Sequence, residues 1–265
     1  MQIEFPVTVT LFGYSVLIHP ILEWIGIFLA MRLYAILKKK KKSNLSSTQS
    51  LSIVIGALIG ALIGSKIIGT LENPAAIFEV KNQFFYFWTS NTIVGGLAFG
   101  ILGVELTKKI IKYNESTGDL MVYPLILAMI IGRIGCFLTG VFENTFGIPT
   151  DFIFGMYLGD AYLRHPVTLY EIGFLIIFAF VNYFISKKMT FPSGFLFQFF
   201  MLNYFTFRFF LDFIKPKINI IFNLSTIQLT CLFMILYYCI LIFKNRKSIY
   251  FKNKIYLIAF ISNNS

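Results

Sequence analysis

"LMVYPLILAMIIGRIGCFLTGVF", residues 120–142, carries a single charged side chain, Arg133, with Gly132 and Gly135 close beside it. The stretch is long enough to cross a bilayer, whose hydrocarbon core takes about 20 apolar residues. Similar runs recur along the chain, and with this one they make seven: about 14–37, 51–71, 88–110, 120–141, 167–186, 194–214 and 227–243. The fold class that follows is all-α: a polytopic membrane protein with seven transmembrane helices in a single domain, residues 1–265. Composition agrees. Of the 265 residues, 57% are hydrophobic and 13% charged, against about 25% charged in a soluble domain.

The net charge of +11 does not point to nucleic acid, because the basic residues sit in short tracts between apolar runs. Fifteen Lys and Arg fall on one side of the expected membrane and four on the other. The positive-inside rule then puts the N-terminus outside and the C-terminus in the cytoplasm. The first run has no basic segment before it and is followed by "KKKKK", which reads as a retained anchor. A short tail, "IYLIAFI" at 255–261, is expected to lie at the interface. Cys136, Cys231 and Cys239 all lie in apolar segments, with neither a disulfide framework nor metal-site spacing. No phosphate loop or dinucleotide fingerprint is present, and no cofactor or metal is expected. The absence of an inverted repeat argues against a transporter.

An arginine at mid-bilayer costs on the order of 2.5–3.5 kcal/mol on insertion scales. Arg133 and Arg208 are therefore candidates for function. Two arginines in one cavity repel unless an anion lies between them, and a phospholipid phosphate suits the planar guanidinium fork. The plainer alternative is pairing within the chain: Arg133 with Glu143 or Glu171, and Arg208 with Asp212 at i+4. Lys66, near the outer end of the second run, is a weaker candidate of the same kind.

Residues 142–166 form the longest outside loop, which ends in "RHPVTLYE". That motif brings Arg164, His165, Tyr170 and Glu171 to the mouth of the fifth span. His19 and Glu23, at i and i+4, share one helix face near the outer end of the first span and are expected to pair. "GALIGALIGSKIIG" places Gly56, Gly60 and Gly64 on one face, the pattern of close helix packing. "VGGLAFGILG" (94–103), with Gly95 and Gly96, permits close approach by a ligand or a helix. Residues 1–13 alternate like a strand or an interfacial arm.

At these motifs the chain resembles the prolipoprotein diacylglyceryl transferase family of bacterial inner membranes. "GRIGCFLTG" is similar to the family's Gly-Arg-x-Gly-Asn-Phe, "RHPVTLYE" to its Arg-His-Pro-(Thr/Ser)-Gln-Leu-Tyr-Glu, "YFTFRFFLDF" to its Tyr-Gly-x-x-Arg-Phe-x-x-Glu-Phe, and "NLSTIQ" to its Leu-Ser-x-x-Gln. "GSKI" stands at the family's Gly-Ala-Arg. The resemblance covers about residues 14–243. It implies transfer of a diacylglyceryl group from phosphatidylglycerol to the lipobox cysteine thiol of a preprolipoprotein, leaving a thioether and glycerol phosphate. It also implies that Arg133 and Arg208 hold the lipid phosphate, while Glu171, Tyr170 and His165 shape the mouth.

The chain departs from the family at several positions. Val94 stands where the family has a histidine before its paired glycines, and valine accepts no proton. Cys136 replaces an asparagine, Thr139 stands where a second one is frequent, and Val167 and Thr168 replace Thr/Ser-Gln. The base is then expected from His19, Glu23 or His165. The rival reading is a non-catalytic phospholipid-binding protein, or a transferase with another acceptor.

Overall fold

The structure is a computed structural model that describes residues 4–41, 45–245 and 250–251. The expected interfacial tail at 255–261 lies outside the described residues. The described chain is mostly helical. An antiparallel hairpin, β1 (Thr8–Leu11) and β2 (Tyr14–Leu17), leads into α1 (Ile18–Lys40) and α2 (Ser47–Thr70). Two short helices follow, α3 (Ala76–Glu79) and α4 (Gln83–Thr89), and then the long α5 (Ile93–Ile110) and α6 (Val122–Thr139). The outer loop holds a small strand pair, β3 (Met156–Tyr157) and β4 (Leu163–Arg164). The chain continues through α7 (Val167–Lys188), α8 (Phe195–Leu211) and α9 (Thr226–Asn245).

Five of these helices, α1, α2, α6, α7 and α9, are long and apolar enough to cross a membrane. The other two expected spans coincide with α5 and α8. Helix α5 carries Glu105, Lys108 and Lys109 in its second half, and α8 is only 17 residues long. Two expected boundaries are corrected. The first span was read from residue 14, but residues 14–17 form β2, because Phe12 and Gly13 adopt positive φ (50° and 85°) and fold the chain back as a two-residue hairpin turn. The third was read from residue 88, but the chain breaks after Thr89. Ser90, Asn91 and Thr92 interrupt the helix, and the Thr92 amide donates instead to the Ser65 carbonyl at 3.2 Å.

The glycine face of α2 meets α5 backbone to backbone. A Cβ at Gly60 would collide with the Phe99 carbonyl, and one at Gly64 with Gly95 and Phe99. Small residues therefore set the interhelical distance, as the sequence spacing indicates. Helix α1 lies on α6, α6 on α7, and α8 on α9. At the centre Val94, Val122, Leu175, Phe200, Met201, Tyr204, Phe205 and Cys231 are fully buried. The outward faces are apolar too: Trp24, Phe28, Leu58, Ile59, Ile177 and Phe233 are exposed. An apolar exterior of this extent fits a lipid surround.

Gly60→Leu should break the α2–α5 seam and destabilise the protein by about 1–3 kcal/mol. Gly173→Ala, where an added Cβ meets nothing within 4 Å, should not. Thermal unfolding in detergent micelles compares the two.

Candidate active site

Glu171 collects the buried charges. Pro166 precedes the first turn of α7 and places Glu171 in the second, where its side chain is 1% exposed. Arg133 of α6 brings Nε to 2.9 Å from Glu171 Oε2, an ion pair by distance whose N–H is not aligned for a hydrogen bond. Arg208 of α8 donates from Nη1 to the same oxygen at 3.2 Å. Tyr204, one turn before Arg208, donates its hydroxyl to Oε1 at 2.7 Å. One carboxylate thus meets two guanidiniums within ion-pair distance. Arg208 Nε is buried and has no hydrogen-bond partner among the described residues.

A second cluster lies one turn along α6. Arg133 Nη1 reaches Cys136 Sγ at 3.6 Å, and Sγ lies 3.5 Å from His19 Nε2. His19 Nδ1 hydrogen-bonds Glu143 Oε1 at 2.7 Å, while Nε2 lies 3.3 Å from Glu23 Oε1. His19 is held here by the N-terminal hairpin. The Val7 amide donates to the Leu138 carbonyl at 2.9 Å and the Ile18 amide to the Val7 carbonyl at 3.2 Å. Gly135 leaves the room, since a Cβ there would stand 2.6 Å from the His19 ring. Glu143 follows the turn at Gly140, whose φ of 66° suits glycine. The contacts run unbroken from Glu143 through His19, Cys136 and Arg133 to Glu171, Arg208 and Tyr204.

Not every expected pairing forms. The alternative of pairing within the chain gave Arg208 to Asp212; Arg208 pairs with Glu171 instead. Asp212 caps α8 with its amide on the Arg208 carbonyl, yet its carboxylate lies beyond ion-pair distance of the guanidinium. Asp212 instead accepts from the Ser225 hydroxyl. Of the two partners expected for Arg133, Glu171 takes the role and Glu143 turns to His19. The His19–Glu23 pair forms. "NLSTIQ" is a capping box at the start of α9: the Gln228 amide donates to Ser225 Oγ at 3.1 Å, and the Ser225 amide to Gln228 Oε1 at 3.0 Å.

Other candidates lie elsewhere. Gly95 packs on Gly64 and Ile68, and Gly96 faces Ala61. Lys66 donates to the Trp88 carbonyl and sits 5.3 Å from the Trp88 ring centre. Arg164 braces the outer loop, pairing with Asp160 at 2.7 Å and covering the Phe146 ring at 4.8 Å. Its hydrogen bond holds the Asp160 carboxyl below the usual range. His165 Nδ1 contacts the Tyr170 hydroxyl at 3.2 Å. Val94 is fully buried in the apolar core. The sequence reading missed Tyr204, though its position four residues before Arg208 was a signal. It also missed Lys215, whose ammonium is pulled down to about 8 by burial and then by the charge of Arg208.

The family model for prolipoprotein diacylglyceryl transferase matches residues 6–244. A phosphatidylglycerol–prolipoprotein diacylglyceryl transferase of Bordetella bronchiseptica is 30% identical over 181 residues, 64% of this chain and 63% of that protein. One from Ehrlichia ruminantium is 31% identical over 175 residues, 60% of this chain and 66% of that protein. One from Dehalococcoides mccartyi is 25% identical over 233 residues, 81% and 85% of the two chains. The chain thus spans under two thirds of the length of the Bordetella relative.

Glu171→Gln strands two buried guanidiniums and should cost about 3–5 kcal/mol. Tyr204→Phe removes one hydrogen bond to a charged group and should cost about 1.5–3 kcal/mol. Unfolding of both variants in detergent checks the order.

Proposed function

Because the chain belongs to the prolipoprotein diacylglyceryl transferase family, we propose that it moves a diacylglyceryl group from phosphatidylglycerol to the lipobox cysteine thiol of a preprolipoprotein. The observation that carries this is the uneven charge at Glu171: two buried guanidiniums against one carboxylate. A phosphodiester monoanion gives the second guanidinium a negative partner of its own. When the glyceryl C–O bond breaks, the departing phosphate gains a second charge, and Arg133 and Arg208 are already in place to meet it. Preorganised charge of this kind is usually a large catalytic term.

The acceptor sulfur attacks the glyceryl carbon as a thiolate. The C–S bond forms, the C–O bond breaks, and its electron pair leaves with glycerol phosphate. Val94 cannot remove the thiol proton, so thiol activation falls to the cluster of His19, Glu23, Cys136 and Glu143, beside Arg133. His165 stands apart from it, against Tyr170.

The protein works as a single domain of the bacterial inner membrane, spanning it seven times with α1, α2, α5, α6, α7, α8 and α9. Its N-terminus is outside and its C-terminus cytoplasmic. Support comes from the lysines in the last turns of α1, α5, α7 and α9, which are the alternate spans. Lysines at those ends suit both the positive-inside rule and the helix dipoles.

Expression in a strain depleted of its own transferase should restore lipidation of a lipobox peptide. Arg133→Ala and Arg208→Ala should each lower the rate by roughly 10²–10³-fold. A well-expressed, membrane-inserted wild type that restores nothing would sink the reading. A second expectation concerns pH. Lys215 loses its charge as pH rises through about 8, so binding of fluorescent phosphatidylglycerol should weaken from pH 7 to 9. Lys215→Met should flatten that slope.

A further inference from the structure

We propose that His19, Cys136 and Glu23 form a zinc site, with Glu143 as its supporting carboxylate, and that the zinc activates the acceptor thiol. The role in thiol activation rests on the transferase reading, whereas the metal site itself does not. Zinc binds thiolate at about 2.3 Å and imidazole or carboxylate at about 2.0–2.2 Å. Tetrahedral angles then put neighbouring ligand atoms about 3.3–3.7 Å apart. Cys136 Sγ lies 3.5 Å and Glu23 Oε1 3.3 Å from His19 Nε2. The remaining ring nitrogen donates to Glu143 at 2.7 Å. A metal-bound histidine commonly hands its other N–H to a carboxylate in this way, which fixes the tautomer and ring orientation. Ligand atoms of His19, Cys136 and Glu143 also lie within 4.8 Å of one another, which puts the supporting carboxylate in the same cluster.

The donor set is chemically apt. A soft sulfur, an imidazole and a carboxylate select zinc over calcium or magnesium. The charges also suit it. A Cys136 thiolate and two carboxylates bring three negative charges around a divalent cation, and Arg133 faces the thiolate. Three protein ligands leave the fourth tetrahedral position for a substrate atom, as in catalytic zinc sites. Cys136 is buried and Glu23 largely exposed, so the open side is the Glu23 side.

A thiol that coordinates zinc is deprotonated outright. The lipobox thiol would enter the fourth position and release its proton to water past Glu23. Its sulfur then attacks the glyceryl carbon, and the C–O electron pair leaves with the phosphate. No basic side chain is needed at position 94. Two departures from the family pattern acquire one explanation: the metal replaces the histidine missing at Val94, and Cys136 is the ligand that holds it.

The test uses the full-length protein in detergent micelles, stripped of metal and titrated with Zn²⁺ against a chromophoric chelator. The expected result is one zinc per chain, with binding lost in Cys136→Ser and weakened roughly 10–100-fold in Glu143→Gln. Co²⁺ in place of Zn²⁺ should give a thiolate-to-metal charge-transfer band that Cys136→Ser lacks, and circular dichroism confirms that the variants fold. No stoichiometric zinc, or zinc binding indifferent to Cys136→Ser, overturns the site. Lipidation assays on stripped and reloaded wild type separate the two readings. Activity that falls on stripping and returns with Zn²⁺ supports thiol activation. Stripped protein as active as loaded overturns it while leaving the transferase in place. Zinc-loaded, folded protein without any transfer overturns the transferase reading and the zinc's part in it, but leaves the metal site standing.

Discussion

One carboxylate shared by two buried guanidiniums is the constraint around which the helices are arranged. Arg133 and Arg208 come from α6 and α8, and neither has a second carboxylate within ion-pair distance among the described residues. Glu171 satisfies both only if α7 starts just after Pro166 and brings its second turn between them. Tyr204 then occupies the other carboxylate oxygen. Removing one member of such a trio leaves charge buried without an answer, which costs more than the trio gains over an apolar core. An arrangement so costly to maintain is not explained by stability, and the proposed phosphate contact gives it a use.

The thiol-side cluster depends on a different kind of constraint, which is space. His19 reaches Cys136 because Gly135 has no side chain and because the N-terminal hairpin ties the start of α1 to the end of α6. Electrostatics governs one centre and sterics the other, and Arg133 touches both.

Much of this was legible in the sequence, and the failures have physical causes. Seven apolar runs and the lone charges within them mark the long helices and the two arginines. Hydropathy does not separate a β-strand from a helix start, so residues 14–17 were absorbed into the first span. It also averages over the polar break at Ser90–Thr92, which carried the third span back into the end of α4. The rule of i+4 pairing is local: it offers Asp212 to Arg208 and cannot see Glu171 on α7 or Ser225 at the head of α9. Tyr204 reads as one more aromatic until Glu171 is placed against it. The Cys136–His19 contact joins residues 117 apart, and no local spacing announces it. What the sequence did carry was the oddity of Cys136, without the contact to His19 that gives it a setting.

Arg133 and Cys136 stand three residues apart on one helix, a rise of about 4.5 Å. If the donor's phosphate meets the first and the acceptor's sulfur comes beside the second, as proposed above, the pitch of α6 sets their spacing. A gauge of this kind reads only the headgroup and the thiol. It is blind to the length and unsaturation of the acyl chains and to the peptide beyond the cysteine. Broad tolerance of lipid tails and signal sequences would then follow from the regularity of a single helix.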